Sequence, residues 1–209
     1  MTKLLIRLFI KDPQNTQNDR VREAYGRLAG VVGVCCNIFL GGAKLLIGAL
    51  SGSIAIQADA VNNLSDVGSN LVTLIGFRMA GKPADKEHPF GHARIEYIAA
   101  LVISFLILLV GFELGKESVL KIIAPEPVAF NLTTMGVLAL SILVKLWLGR
   151  FTASIGKAIS STAMSAATAD SMCDVISTGA ILLSAMASYF INVNLDGYVG
   201  VLVAGFVLY

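Results

Sequence analysis

The sequence predicts an all-α fold: a six-helix transmembrane bundle whose last helix is truncated. Three observations predict it. The 209-residue chain is 56% hydrophobic and only 14% charged, whereas soluble domains carry about 25% charged residues. Its mean hydropathy is +0.76. Its apolar residues fall into six runs with polar or glycine-containing joints between them, and a helical span needs about 20 residues. The net charge of +2 offers no basic footprint for nucleic acid.

Residues 1–27 are expected to form a cytoplasmic, partly amphipathic leader. Their apolar run is broken by Arg7 and followed by a polar stretch, with no small-residue cleavage site, so it is not a secretory signal. Residues 28–209 then form the six-span domain. The first span covers about 28–50 and holds Gly30, Gly33, Gly41, Gly42 and Gly48. Small residues let membrane helices approach closely; tight packing is the plain reading and a sliding interface the functional one. The turn Ser51-Gly52-Ser53 leads into a second span at about 54–79. The third, fourth and fifth spans fall at about 95–119, 132–151 and 161–190. The sixth begins near Gly197 and reaches Tyr209 before attaining spanning length, so the natural chain is expected to continue.

Basic residues orient the bundle. The leader carries Lys3, Arg7, Lys11, Arg20, Arg22 and Arg27. The loop between spans two and three carries Arg78, Lys82, Lys86 and Arg94. Lys145, Arg150 and Lys157 are assigned to the end of span four and its loop. Only Lys116 and Lys121 fall on the other side. The expected setting is a bacterial plasma membrane with the N-terminus in the cytoplasm. Lys44 is read as the one basic residue well inside a span. Cys35, Cys36 and Cys173 are read as small buried hydrophobes, and their spacing gives no disulfide framework.

Two polar pairs interrupt the apolar spans. Asn62-x-x-x-Asp66 lies in span two and Asp170-x-x-x-Asp174 in span five. A spacing of four puts both members of each pair on one helix face. Intramembrane carboxylates are costly and mark functional sites by default. The alternatives are a water-lined cavity without a specific ligand, or hydrogen-bonding glue between helices. Repetition of the pattern on two helices favours a shared site. No Lys or Arg of spans two or five is placed to neutralise these acids, so a divalent cation is the expected counter-charge. Metal binding would then release protons and acid would return them. The donors are all oxygen. Zinc sites usually recruit imidazole or thiolate, whereas Mn²⁺ accepts a hard oxygen cage. Mn²⁺ is therefore the first expectation, with Zn²⁺, Fe²⁺, Co²⁺ and Cd²⁺ as alternatives. The metal is cargo, and no resident cofactor is expected. Asp59, two turns before Asp66, is read evenly as part of the metal's path or as a buttress of the helix start. Glu113 is a further mid-span acid, with Lys44 or Lys145 as candidate partners.

The loop between spans two and three reads Asp85-Lys-Glu-His88-Pro-Phe-Gly-His92-Ala-Arg94-Ile-Glu96. Asp85, His88 and His92 have plausible metal-ligand spacing. Taken together, this loop, Ala58-Asp59-Ala-Val-Asn62-Asn-Leu-Ser-Asp66 and the paired acids of span five resemble the cation diffusion facilitator family, over essentially the whole chain. The resemblance implies a homodimer that exports divalent metal from the cytoplasm by proton antiport and alternating access. It also implies a cytoplasmic C-terminal domain, absent from this chain. Zinc members of the family typically carry His or Asp where this chain has Asn62, and His where it has Asp170, so the Asn-Asp-Asp-Asp set resembles the manganese branch. Asp85, His88 and His92 match positions that bind a second metal in some zinc members. Arg94 matches a basic position expected to form a charge interlock between protomers.

Two other classes share some of these features. Paired intramembrane aspartates also serve intramembrane aspartyl proteases as general acid and base, but those need a Gly-x-Gly-Asp segment and a Tyr-Asp pair. Here Asp59 and Asp170 follow Ala, Asp66 follows Ser and Asp174 follows Cys. A metal sensor without turnover is the other alternative.

Overall fold

The computed structural model describes residues 2–10, 13–16, 18–51, 54–82, 85–86, 88–124, 132–191 and 196–208. All secondary structure among them is helical: α1 (Thr2–Phe9), α2 (Asp19–Ser51), α3 (Ile54–Ala80), α4 (Ile95–Ile123), α5 (Leu132–Ile159), α6 (Thr162–Ile191) and α7 (Asp196–Leu208). Helices α2 to α7 correspond to the six expected spans, and α1 is an additional short helix in the leader. Gly52 and Ser53, the expected first turn, lie outside the described residues.

The helices are longer than the apolar runs suggest. Helix α2 starts at Asp19, inside the expected leader, because Asn18 caps it: the Asn18 side chain accepts a hydrogen bond from Arg20 N at 2.9 Å. Helix α5 continues to Ile159, eight residues past the expected end of span four, so Lys145 stands at mid-helix rather than near a helix end. Lys44 is therefore not the sole basic residue deep within a span. Three described helical segments are long and apolar enough to cross a bilayer: Arg20–Ile47, Ile95–Ile123 and Met135–Ile159.

The chain divides into two compact units, residues 1–104 with 147–169, and residues 105–146 with 170–209. The first has a tight apolar core of Tyr25, Phe77, Leu148, Phe151, Ile155 and Met164, all essentially buried. Trp147 and Phe151 stack with ring centroids 5.5 Å apart. Helices α2 and α3 pack at close range because of glycine. A Cβ on Gly30 would stand 3.0 Å from Leu74 Cβ, and one on Gly33 would strike the Asn70 side chain. The tight turn from α5 to α6 places Ser160 at φ 48°, a left-handed helix ending. Ser161 then caps α6, accepting a hydrogen bond from Met164 N at 3.1 Å.

In the second unit, α7 lies against α4. A Cβ on Gly197 would come within 2.9 Å of the Ser118 carbonyl oxygen, so only glycine permits this approach. Elsewhere large apolar side chains face outward, as with Leu101, Phe105, Leu108 and Phe112 on α4. Such a surface would be a liability in water and suits lipid. The same physics corrects the reading of Cys35. It is exposed, and Cys36 and Cys173 are only partly covered, because an apolar side chain in a bilayer has no need of a protein core.

Candidate functional site

The first polar pair sits on α3, in the first unit. Asp66 is buried, at 6% exposure, and Asn62 is half-buried. Asp66 belongs to a buried polar seam that α3 continues with Ser69, Asn70 and Thr73, three and four residues apart. Asn70 donates from Nδ2 to the Asp66 carbonyl oxygen at 2.8 Å, and Thr73 donates to the Ser69 carbonyl oxygen at 3.2 Å. Both satisfy their polarity within the helix, the solution expected where water is scarce. The neighbouring helix α2 contributes Asn37 and Lys44, each 1% exposed. Asn37 Oδ1 is buried without a hydrogen-bond partner among the described residues. Sequence reasoning missed Asn37 and Asn70. Their signal was present: Gly33-x-x-x-Asn37-x-x-x-Gly41 keeps one face of α2 small and polar. Asp59 lies on α3, but its side chain is outside the described residues.

The second pair sits on α6, in the second unit. Asp170 and Asp174 are both half-buried. Asp174 has a protein cation beside it: Lys145 Nζ on α5 donates to Asp174 Oδ2 at 2.5 Å. The lysine side chain is 4% exposed and the carboxylate 14%. Spans two and five supply no such cation themselves, as expected, but span four does, which corrects the reading of Lys44 as the one basic residue well inside a span. The partner comes from the preceding helix, where Lys145 was expected near the end of span four. Lys145, one of the candidate partners of Glu113, meets Asp174, and Glu113 is exposed.

The loop motif assembles as a cluster. One ligand atom from each of Asp85, His88 and His92 lies within 4.8 Å of the others. Backbone geometry builds it. His88 N donates to Asp85 Oδ1 at 2.6 Å, and Gly91 N donates to the His88 carbonyl oxygen at 3.0 Å. Gly91 takes φ 76°, a value open chiefly to glycine, and the chain reverses there to bring the two imidazole centroids within 4.4 Å, the rings tilted by 41°. His88 Nδ1 is 3.3 Å and His92 Nε2 3.7 Å from the Asp85 carboxylate. The His88 amide, and then the two imidazoles, hold the Asp85 carboxyl below its usual range. His92 is buried, whereas Asp85 and His88 stand open to solvent.

Arg94 is exposed, with no ion pair among the described residues. Within the chain the charge tie at this end belongs instead to Arg22 and Glu96, 3.0 Å apart. Arg22 also donates from Nη1 to the Ile159 carbonyl oxygen. One guanidinium thus joins the start of α2, the first turn of α4 and the end of α5, as a planar five-donor group can.

Comparison with known proteins extends these observations. The family model for the cation efflux transmembrane domain matches residues 30–209. An uncharacterized transporter of Methanocaldococcus jannaschii is 32% identical over 174 residues, covering 83% of this chain and 62% of the relative. The manganese efflux system protein MneS of Bacillus subtilis is 30% identical over 165 residues, 79% of this chain and 57% of the relative. The magnetosome protein MamB of Paramagnetospirillum magneticum is 29% identical over 155 residues, 74% of this chain and 51% of the relative. The chain therefore spans between half and two thirds of the length of these relatives.

Proposed function

The chain belongs to the cation efflux, or cation diffusion facilitator, family, and from that premise we propose that it exports a divalent metal, with Mn²⁺ as the foremost cargo, in exchange for protons. Asn62, Asp66, Asp170 and Asp174 form the transport site in this reading. The carrying observation is the repeated polar pair at a spacing of four on α3 and α6. Three carboxylates and one amide oxygen give hard donors and a charge that a divalent ion can meet. Zn²⁺, Fe²⁺, Co²⁺ and Cd²⁺ remain alternatives because oxygen sites do not exclude metals of higher intrinsic affinity. The likeness to a manganese efflux protein of Bacillus subtilis supports Mn²⁺.

The proposed cycle follows from charge. Cytoplasmic metal binds the carboxylates from an inward-open cavity. The helices tilt and open the site outward, protons replace the metal, and the protonated carrier resets. A homodimer in a bacterial plasma membrane, with its N-terminus in the cytoplasm, is the proposed arrangement. The cluster of Asp85, His88 and His92 is read first as a stabiliser of its loop and second as a cytoplasmic metal position. Arg94, exposed beside it, is proposed to serve an interlock with the second protomer.

The test is a competition flux assay in proteoliposomes, comparing Mn²⁺ with Zn²⁺ at matched free concentrations across a proton gradient. Mn²⁺ export that dissipates the gradient is the expected result. Preferential Zn²⁺ flux would overturn the metal assignment. Binding without any flux would favour a sensor.

A further inference from the structure

Lys145 has no role in the cycle above, yet its ammonium is hydrogen-bonded to one of the proposed ligands. Its ammonium lies 2.5 Å from Asp174 Oδ2, with the lysine side chain buried and the carboxylate mostly covered. The two residues are 29 positions apart and belong to the same compact unit, as does Asp170, one turn before Asp174. An ammonium has three donors and no acceptor, so it can bind the carboxylate but cannot ligate a metal. It uses the same lone pairs that a hard divalent ion would need.

We propose that Lys145 is a tethered competitor of the transported metal: in the empty carrier its ammonium takes the place at Asp174 that the metal occupies, and loading must displace it. The inference rests on the proposed function, since it takes Asp174 to be a metal ligand. Three physical arguments support it. A buried carboxylate is stable only when its charge is met, and Lys145 meets it while no metal is bound. Two cations crowded onto one carboxylate in a poorly screened interior repel each other strongly, so the ion pair and the metal complex weaken one another. Lysine is also suited to withdrawal, because its charge rides on a flexible four-carbon stem, whereas arginine would lock a planar fork. The consequence is a site held below its maximal affinity. A carrier needs this, since the ion must leave as readily as it enters.

The experiment is Mn²⁺ titration calorimetry on the purified protein in lipid nanodiscs, at one mildly alkaline pH. Lys145→Met keeps an unbranched stem of similar length and removes the charge. It is expected to bind Mn²⁺ more tightly than the unaltered protein by roughly tenfold, a shift of about 1.4 kcal/mol. Lys145→Arg, which keeps a cation, is expected to bind more weakly than Lys145→Met. Asp174→Asn supplies a second background, in which the ammonium has lost its Asp174 carboxylate and stays beside the remaining donors. Adding Lys145→Met to it should recover part of the lost affinity. That comparison decides the matter even if Lys145→Met alone does not fold. Unchanged or weaker binding in Lys145→Met, or no recovery in the double variant, would overturn the proposal and make Lys145 a structural partner only. If Mn²⁺ binding to the unaltered protein is indifferent to Asp66→Ala and Asp170→Ala, the transport site itself is misassigned. That result is distinct from a failure confined to Lys145.

Discussion

The membrane acids and the loop cluster are both carboxylate-centred, and they solve opposite problems. Asp85 is exposed and finds its partners within seven residues, through a backbone amide and two imidazoles. Asp174 is largely buried and finds its partner on another helix. In water a carboxylate needs no partner to remain charged, so the loop cluster is a matter of local geometry. At membrane depth an unmet charge is untenable, so the fold itself must deliver a cation. The first cluster is cheap and assembled in advance. The second is expensive and open to exchange.

Substitutions should expose that contrast, and the largest effect is expected at the membrane acids. Asp66→Ala or Asp170→Ala should abolish Mn²⁺ export in proteoliposomes; undiminished transport would sink the ligand assignment. Next comes stability. Removing one partner of a buried ion pair typically costs ~3–5 kcal/mol, so Lys145→Met should lower metal-free stability by about 3 kcal/mol. Chemical denaturation in detergent would measure this, and saturating Mn²⁺ should narrow the deficit. A deficit indifferent to metal would assign Lys145 to structure alone.

Smaller effects test donor type and the loop. Asn62→His adds an imidazole to an all-oxygen set and should move the flux ratio toward Zn²⁺; an unaltered ratio would remove selectivity from that position. In the loop, His88→Ala should leave Mn²⁺ flux close to its original rate. A second bound metal per chain, lost in this variant, would instead establish the cluster as a working site. The weakest effect is acid sensitivity. The Asp85 carboxyl is held below its ordinary value of 3.8, so its contribution is fully present above that value. It is lost as pH falls through the lower, folded-state value. Protection of the His88 amide, measured relative to its intrinsic exchange rate, should therefore persist from neutrality down to about pH 4 and be lost only below it. Loss of protection at a clearly higher pH would show that Asp85 is not what holds the loop.

Sequence legibility followed the range of each interaction. The pairs Asn62–Asp66 and Asp170–Asp174 were readable because helix periodicity alone puts residues four apart on one face. The loop cluster was readable because eight residues with a glycine at the reversal carry their own geometry. The polar face of α2 was half-readable: Lys44 stood out, while Asn37 passed as an ordinary polar interruption. The extent of α2 and α5 was misjudged because apolar runs mark where lipid lies, whereas caps such as Asn18 and Ser161 mark where helices end.

The amino-acid sequence by itself determined an all-α membrane chain, two helices bearing spaced oxygen donors, and a His-rich loop poised to fold on itself. Each of these follows from composition or from spacing along one element. Only the tertiary structure decided that Lys145 meets Asp174, that Arg22 ties three helix ends through Glu96 and Ile159, and which glycines admit a neighbouring helix. Those contacts join residues 29, 74 and 137 positions apart. They depend on how each helix is rotated about its axis and set in depth. That is fixed by packing against other helices, and no periodicity within a single helix encodes it.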